Sequence, residues 1–241
     1  MRPRVRDALL LPFLFPFAVV QGRRIRRDTP VLPEAAGERA GELGSGAPFH
    51  LLSLGDSTIA GVGLDDIRDT VTAQLAGRLA ESHRVSWRAV GKTGATSASA
   101  LTDLVPGLQG VNADVVVVSL GVNDALKGGT RRGFARRISL LIAGIRTHVG
   151  AVPVIVSGLP PLGDFELLPS APRRFAGIRG QALDAGLADV ANSVSDVTHL
   201  PLVLGPLNQA FAADGFHPSI DAHAYWADQL LPVVLQVSAG R

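Results

Sequence analysis

Residues 114–120 read DVVVVSL, an apolar run dominated by β-branched valines. Such a run is typical of a strand that is covered on both faces, as the strands of parallel sheets are. Shorter apolar runs predict further strands at residues 49–54, 85–90 and 152–157, and a weak fifth strand at residues 202–204. The sequence therefore predicts a sheet of about five strands built around residues 114–120.

Helical patterns separate these strands. Val71, Leu75 and Leu79 recur at four-residue spacing and share one face of a helix predicted over residues 70–83. Further helices are predicted at residues 134–149, 174–194 and 220–237. Strands that alternate with helices imply a parallel sheet with helices on both faces, which is a three-layer α/β sandwich. Sheets of this kind carry their sites at the carboxyl ends of the strands.

Four short segments at strand ends or in turns carry polar groups suited to ester hydrolysis. In chain order they are Gly55-Asp56-Ser57, Gly94, Gly121-Val122-Asn123-Asp124 and Asp214-Gly215-Phe216-His217. Together they supply a nucleophile, two hydrogen-bond donors and an acid/base pair. Ser57 follows the first predicted strand, Gly94 the second and Asn123 the third, so we expect these three residues to meet along one edge of the sheet.

These segments, in this order, resemble the four blocks of the SGNH (GDSL-type) hydrolase family, and the resemblance extends over roughly residues 48–237. Within that family the chain resembles small single-domain esterases and lipases of the thioesterase/lysophospholipase sort. The resemblance implies a flavodoxin-like sheet (the SGNH hydrolase fold) and carboxylic ester hydrolysis through an acyl-enzyme. It also implies an oxyanion hole formed by the backbone N–H groups of Ser57 and Gly94 and the side-chain amide of Asn123.

The chemistry requires an activated serine, because a serine hydroxyl is too weakly acidic to attack a carbonyl unaided. Ser57 is the predicted nucleophile and His217 the predicted base. Asp214 lies three residues before the histidine in a turn, so its carboxylate is predicted to reach the far nitrogen of the imidazole and orient the ring. Asp56 and Asp124, each beside a candidate residue, are predicted to bond nearby backbone donors and to be structural.

Simpler interpretations of the same residues stay open. Ser57 alone fits a helix N-cap, Asn123 fits an Asx-turn and Gly94 fits an ordinary loop glycine. Gly91 competes with Gly94 for the role of the oxyanion glycine. The presence of all four segments in order favours the catalytic interpretation over these alternatives.

Five further histidines are expected on the surface, at a cap or at the edge of the core, because none has a carboxylate in a comparable turn. They are His50, His83, His148, His199 and His223. His223 is the one serious rival to His217, since Asp221 lies two residues before it. It falls, however, inside the last predicted helix.

Composition and charge limit the function classes. The chain of 241 residues has no cysteine, so neither disulfides nor thiolate zinc sites are possible. Its net charge of +2 conceals seven arginines against two aspartates in residues 1–30, and the remainder is slightly acidic. With 5% aromatic residues and no basic folded body, we expect no nucleic-acid partner. No cofactor and no metal are expected, and the oligomeric state is not predicted.

The amino-terminal segment has a pattern of its own. Residues 8–20 (ALLLPFLFPFAVV) form an uncharged apolar run flanked by arginines, and at 13 residues the run is shorter than the roughly 20 needed to span a bilayer. Pro12 and Pro16 disfavour a regular helix. We expect residues 8–27 to associate with a membrane surface. A cap over the substrate mouth and an atypical export signal stay open as alternatives.

Three segments are therefore predicted along the chain. Residues 1–27 form the basic and apolar segment, residues 28–47 a linker, and residues 48–241 the hydrolase domain. The predicted location is cytoplasmic or membrane-associated.

The predicted function is hydrolysis of acyl esters, with a lipid-like fatty-acyl ester as the expected substrate. Removal of acetyl groups from carbohydrates or other small esters by the same triad is the alternative. A metallophosphoesterase, which uses Asp, Asn and His around two metals, is a remote alternative, because its early Asp-x-His block is missing. A noncatalytic flavodoxin-like binding module would leave the four segments unexplained.

Overall fold

The computed structural model describes residues 11–28, 31–165, 168–203 and 210–239. Its strands are β1 (Ala40–Leu43), β2 (Ala47–Gly55), β3 (His83–Gly91), β4 (Val115–Ser119), β5 (Val154–Ser157) and β6 (Val197–Leu200). They form one sheet in the order β1-β3-β2-β4-β5-β6. β1 pairs antiparallel with β3, and all the other neighbours are parallel.

Helices cover both faces of this sheet. They are α1 (Leu11–Asp28), α2 (Ser57–Ala60), α3 (Val71–Leu79), α4 (Ser97–Asp103), α5 (Val122–Leu126), α6 (Arg131–Val149), α7 (Ser170–Ser193) and α8 (Ile220–Ser238). Short 3₁₀ turns lie at Ile67–Asp69, Val105–Leu108 and Leu162–Asp164. α3 and α8 contribute to the core on one face, whereas α4, α6 and α7 contribute to the core on the other.

β4 shows why the valine run decides the architecture. Val115 and Val117 belong to the core shared with α3 and α8, and Val116 and Val118 belong to the core shared with α6 and α7. All four are buried. Because alternate residues of a strand point to opposite faces, a strand that lies between two helical layers must be apolar at every position.

The predicted three-layer α/β fold is confirmed. Strands β2 to β6 are the five parallel strands, and their spatial order is that of a flavodoxin-like sheet. The strand order reverses between β2 and β4, because the chain builds outward on either side of this pair. Ligand sites in doubly wound sheets lie at the carboxyl ends of the strands beside such a reversal.

The weak strand predicted at residues 202–204 is misplaced. The structure has β6 at Val197–Leu200, and residues 202 and 203 are not in a strand, while residue 204 lies outside the described residues. β6 lies at one edge of the sheet, and only Val197 in it is buried. An edge strand with one buried residue lacks the apolar pattern from which strands are predicted.

The predicted linker, residues 28–47, differs from the structure in its second half. β1 lies within it and adds an antiparallel strand to the sheet by pairing with β3. All four residues of β1 are exposed. A strand held by backbone hydrogen bonds alone leaves no alternation of apolar and polar residues in the sequence.

The amino-terminal segment forms a helix, so the expectation that Pro12 and Pro16 disfavour one was wrong. α1 covers Leu11–Asp28 and contains both prolines. Pro12 lies in the first turn, where a backbone N–H has no helical partner, so only Pro16 removes a helical hydrogen bond. Packing of α1 against α7, with the rings of Phe15 and Phe175 5.8 Å apart, offsets this loss. Residues 1–10 of the segment lie outside the described residues. Among those described, no helix is both long and apolar enough to cross a membrane.

Candidate active site

Ser57 lies just beyond the carboxyl end of β2, at the start of a short helix. β2 ends at Gly55, and Ser57 is the first residue of the short helix α2. The N-cap of this helix is Asp56, whose carboxylate accepts a hydrogen bond from the Thr58 N–H at 3.1 Å. The hydroxyl of Ser57 is therefore not used as a cap, which removes the simpler interpretation of this serine.

His217 and Asp214 lie in the loop before α8, and the structure brings them to Ser57. The Nε2 atom of His217 is 3.1 Å from the Ser57 Oγ atom. On the other side of the ring, the Nδ1 atom is 2.5 Å from an Asp214 carboxylate oxygen. A serine, an imidazole and a carboxylate thus form one continuous chain of hydrogen bonds, which is the geometry of a charge-stabilised nucleophile.

The Asp214 carboxylate is held in its ionised form. Its side chain is only 4% exposed, and its second oxygen accepts hydrogen bonds from the backbone N–H groups of Phe216 at 2.9 Å and His217 at 3.0 Å. Burial raises the pKa of this carboxyl, but the hydrogen bonds from His217 and from the two backbone donors outweigh burial and leave the pKa below its ordinary value. An ionised Asp214 can stabilise an imidazolium on His217.

Asn123 lies next to both other candidate donors. It is the second residue of α5, which is separated from the end of β4 by two residues. Its side-chain Nδ2 atom donates to the Ala95 carbonyl at 3.1 Å and lies 3.5 Å from an Asp56 carboxylate oxygen. Ala95 follows Gly94 and Asp56 precedes Ser57, so the amide of Asn123 lies between the two backbone segments that the resemblance names as oxyanion donors.

The two candidate glycines have different surroundings. Gly94 has a φ of +76°, a left-handed conformation that favours glycine, and no atom lies within 4 Å of the position that a β-carbon would occupy. A β-carbon at Gly91 would meet the backbone nitrogen of Ala60 at 2.4 Å. Gly91 is therefore needed for close packing against α2, whereas Gly94 has open space beside it.

Asp56 is an ionisable group buried beside the nucleophile. Burial raises its pKa to about 6, although the hydrogen bonds from Thr58 and the proximity of His217 act in the opposite direction. The backbone donor that it binds matches the structural role predicted for this residue. One of its carboxylate oxygens also lies 3.5 Å from the Asn123 amide nitrogen.

Asp124 connects the two loops of the site. Its carboxylate, which is 3% exposed, accepts hydrogen bonds from the backbone and the hydroxyl of Ser97 at 2.8 and 2.6 Å, and Arg137 lies 3.2 Å away. Ser97 begins α4, just after the Gly94 turn, so Asp124 fixes that turn relative to Asn123. This bonding matches the structural role predicted for Asp124.

Among the described residues, none of the other histidines is hydrogen-bonded to Ser57. His223 is fully buried and accepts a hydrogen bond from the Val71 N–H at 3.0 Å, and burial lowers its pKa to about 3. His50 pairs with Asp114 at 2.9 Å and His199 with Asp184 at 3.0 Å. Sequence reasoning missed these two carboxylates because both are distant along the chain. Neither imidazole bonds a serine hydroxyl within the part of the chain that the structure describes.

An aromatic cluster supports the histidine loop, and sequence reasoning did not identify it. The ring centroids of Phe165 and Phe211 are 4.7 Å apart, and those of Phe165 and Phe216 are 5.8 Å apart. Phe216 in turn meets the His217 ring edge to face at 5.5 Å. The cluster thus packs the segment after β5 against the loop that carries the catalytic candidates.

The described residues contain no group of three or more His, Asp or Glu side chains that could hold a metal ion. The polar groups that the structure brings together here are a hydroxyl, an imidazole and a carboxylate, with the Asn123 amide near Asp56 and Ala95.

The sequence profile of the GDSL-like Lipase/Acylhydrolase family matches residues 53–225 of the chain. The chain belongs to this family. The matched range contains all four segments singled out from the sequence, and the expected resemblance to the SGNH (GDSL-type) hydrolases is confirmed. A curated esterase is similar to this GDSL-like protein in sequence, and several solved structures are similar to it in fold.

The GDSL-like esterase Rv1075c of Mycobacterium tuberculosis is 32% identical to the chain over 197 residues. The match covers 76% of this chain and 61% of the relative, so the chain spans about three-fifths of the length of that curated relative.

Two solved structures share the fold of this GDSL-like protein. The family 3 carbohydrate esterase of Clostridium thermocellum superposes with a TM-score of 0.63 at 20% identity and covers 80% of this chain and 98% of its own. The structure of TesA superposes with a TM-score of 0.51 at 24% identity and covers 78% of this chain and 99% of its own. At these identities the likeness concerns the fold.

Proposed function

We propose that this chain is a carboxylic ester hydrolase that acts through an acyl-enzyme on Ser57. The observation that carries the proposal is the hydrogen-bonded chain from the Ser57 Oγ atom through His217 to Asp214, with distances of 3.1 and 2.5 Å. Membership of the GDSL-like lipase/acylhydrolase family supports the same reaction class.

The proposed mechanism assigns one task to each residue. His217 takes the proton of the Ser57 hydroxyl while the oxygen attacks the acyl carbonyl, and Asp214 holds the ring and stabilises the imidazolium. The protonated imidazole then gives its proton to the departing alcohol, and an ester bond joins the acyl group to Ser57. Water, deprotonated by His217, attacks this ester and releases the acid.

The negative oxygen of the tetrahedral intermediate needs donors that are fixed in advance. We assign this role to the backbone N–H groups of Ser57 and Gly94 and to the amide of Asn123. The convergence of their segments supports the assignment, because Asn123 bonds the residue after Gly94 and lies near the residue before Ser57. The left-handed turn at Gly94 leaves the space beside its backbone free for a substrate oxygen.

Fatty-acyl esters are the proposed substrate class, and a membrane surface is the proposed partner. α1 supports both proposals, because Phe13, Phe17 and Val20 are spaced to share one helical face and are 74%, 62% and 55% exposed. Four arginines follow at positions 23, 24, 26 and 27 of the same helix. An apolar stripe next to positive charge is suited to the interface of an anionic bilayer.

Acetyl esters of carbohydrates are the second candidate substrates. The fold likeness to a carbohydrate esterase favours this alternative. Both candidates use the same triad and differ in the length of the acyl group and in the alcohol.

Purified protein assayed on p-nitrophenyl esters from acetate to palmitate tests the function and separates the two substrate classes. We expect hydrolysis that is insensitive to EDTA, with the highest kcat/KM on the longer chains, and no turnover by Ser57→Ala. A maximum at acetate would favour the carbohydrate alternative. Activity that survives Ser57→Ala but disappears with EDTA would overturn the serine mechanism.

A further inference from the structure

A carboxylate outside the four family segments holds the turn that leads to Gly94. One carboxylate oxygen of Glu34 accepts a hydrogen bond from the Thr93 backbone N–H at 3.0 Å and another from the Thr93 hydroxyl. The other oxygen is paired with Arg39 at 2.6 Å. Arg39 itself donates to the Gly91 carbonyl at 3.0 Å. Glu34 and Arg39 therefore bond the residues on either side of Lys92, namely Thr93 and Gly91.

Lys92, the residue between Gly91 and Thr93, is held by two further contacts. The Lys92 ammonium group is paired with Asp103 of α4 at 2.6 Å. Its backbone N–H donates to the Gly55 carbonyl at 3.2 Å. The three residues before Gly94 are thus each fixed by a partner, whereas Gly94 itself has open space beside it.

The segment that carries Glu34 also binds the turn that carries Ser57. We call residues 33–39 the brace. The Ala35 N–H donates to the Ala60 carbonyl at 3.3 Å, and the Gly63 N–H donates to the Pro33 carbonyl at 3.2 Å. The brace therefore contacts both backbone segments that supply oxyanion donors in the proposed function.

We propose that Glu34 is a positioning residue for the oxyanion hole, which fixes the Gly94 N–H relative to Ser57 through its bonds to Thr93 and Arg39. The proposal rests on the proposed function, because it concerns the same site. Glu34 does not touch the substrate. Its effect is geometric, since a donor displaced by a fraction of an ångström stabilises the developing charge less.

The ionisation of Glu34 is consistent with its hydrogen bonds to Thr93 and Arg39 being kept at neutral pH. Burial raises the pKa of this carboxyl, but the bonds from Thr93 and Arg39 outweigh burial and leave the pKa below its ordinary value. The carboxylate is therefore charged, and its pair with Arg39 is intact, at neutral pH. The pair is partly exposed, so its removal is not expected to unfold the domain.

Kinetics of Glu34→Ala and Glu34→Gln test the proposal. For Glu34→Ala we expect kcat on a p-nitrophenyl ester to fall about tenfold or more, with KM changed less than about twofold. Glu34→Gln keeps an oxygen that can accept from Thr93, so it should recover most of the lost kcat. The matched control is Glu42→Ala, which removes an exposed carboxylate of β1 from the same stretch of chain. It should behave as the unaltered protein.

A double variant distinguishes positioning from loss of folded protein. Thr93→Val removes the hydroxyl that donates to Glu34, and in combination with Glu34→Ala the losses in kcat should be less than additive. The rate of inactivation by a p-nitrophenyl phosphonate, which requires the same hole, should fall in parallel with kcat/KM. Unchanged kcat in Glu34→Ala, or additive losses in the double variant, would overturn the proposal.

The Ser57→Ala variant, run in parallel, separates this proposal from the proposed function. If Ser57→Ala is inactive while Glu34→Ala is as active as the unaltered protein, the function stands and the role of Glu34 is refuted. If Ser57→Ala retains activity, the serine mechanism itself is refuted, and the oxyanion role of Glu34 is refuted with it.

Discussion

The Nε2 atom of His217 lies 3.1 Å from the Ser57 Oγ atom, although 160 positions separate the two residues in the chain. Ser57 follows the central strand β2, and His217 lies in the loop before the last helix. The hydrogen bond between them therefore forms only when the sheet and α8 are packed together. Assembly of the candidate site therefore depends on the whole fold.

Replacement of Asp214 by asparagine should reduce kcat by about 10⁴-fold, because a neutral amide neither fixes the imidazole tautomer nor stabilises the imidazolium. Steady-state kinetics on a p-nitrophenyl ester provide the measurement. Asp221→Asn is the matched control, since Asp221 is an exposed aspartate in the first turn of α8. Equal losses in the two variants would argue against a specific role for Asp214.

Replacement of Asn123 by alanine should lower kcat by about 10²–10³-fold and leave KM nearly unchanged, which corresponds to about 2.7–4 kcal/mol of transition-state stabilisation. In the proposed mechanism the amide donates to the negative oxygen, which exists only after attack. Asn112→Ala removes an exposed amide elsewhere and serves as the control. A rise in KM at constant kcat would indicate ground-state binding instead.

Asp56 should make the domain less stable as the pH rises. Its folded pKa of about 6 lies above its ordinary value of 3.8, so the folded state binds the proton more tightly than the unfolded state between these values. Its contribution to stability is fully present below pH 3.8 and is lost as the pH rises through 6, by about 3 kcal/mol in all.

Denaturant titrations of the unaltered protein and of Asp56→Asn, each at several pH values, measure this effect. Between about pH 3.5 and pH 7 the unfolding free energy of the unaltered protein should fall relative to that of Asp56→Asn, because only the unaltered protein loses the contribution of protonated Asp56. Groups that do not interact with Asp56 contribute equally to both proteins and cancel in the difference. A difference that does not vary with pH would contradict the raised pKa.

The exposed face of α1 should bind anionic membranes. Phe13→Ser combined with Phe17→Ser should reduce co-sedimentation with phosphatidylglycerol vesicles several-fold, because each change removes an aromatic side chain from the apolar stripe. Val31→Ser is the control, since Val31 is 93% exposed but lies outside the helix. Equal binding to neutral phosphatidylcholine vesicles would refute the contribution of the arginines.

The sequence was informative where a physical pattern is local. The valine run at residues 114–120 predicted a strand buried on both faces, and the spacing of Val71, Leu75 and Leu79 predicted the buried face of α3, which is what the structure has. Three of the four segments follow the carboxyl ends of β2, β3 and β4, and the fourth, in the loop before α8, reaches Ser57 through His217.

The elements that escaped prediction are held by contacts between distant or exposed residues. β1 is joined to the sheet by backbone hydrogen bonds, and β6 is half-buried at an edge, so neither has an apolar alternation. α1 forms despite two prolines because it packs on α7. Glu34 and Thr93 are 59 positions apart, and no local spacing relates them.

Covalent trapping of Ser57 tests the serine mechanism directly. After incubation with a p-nitrophenyl phosphonate, intact-mass spectrometry and peptide mapping should find one phosphonyl group per chain, on Ser57, in proportion to the activity lost. Ser57→Ala should remain unlabelled under the same conditions. A label on any other residue that tracks the loss of activity, or full activity in protein labelled at Ser57, would contradict the account.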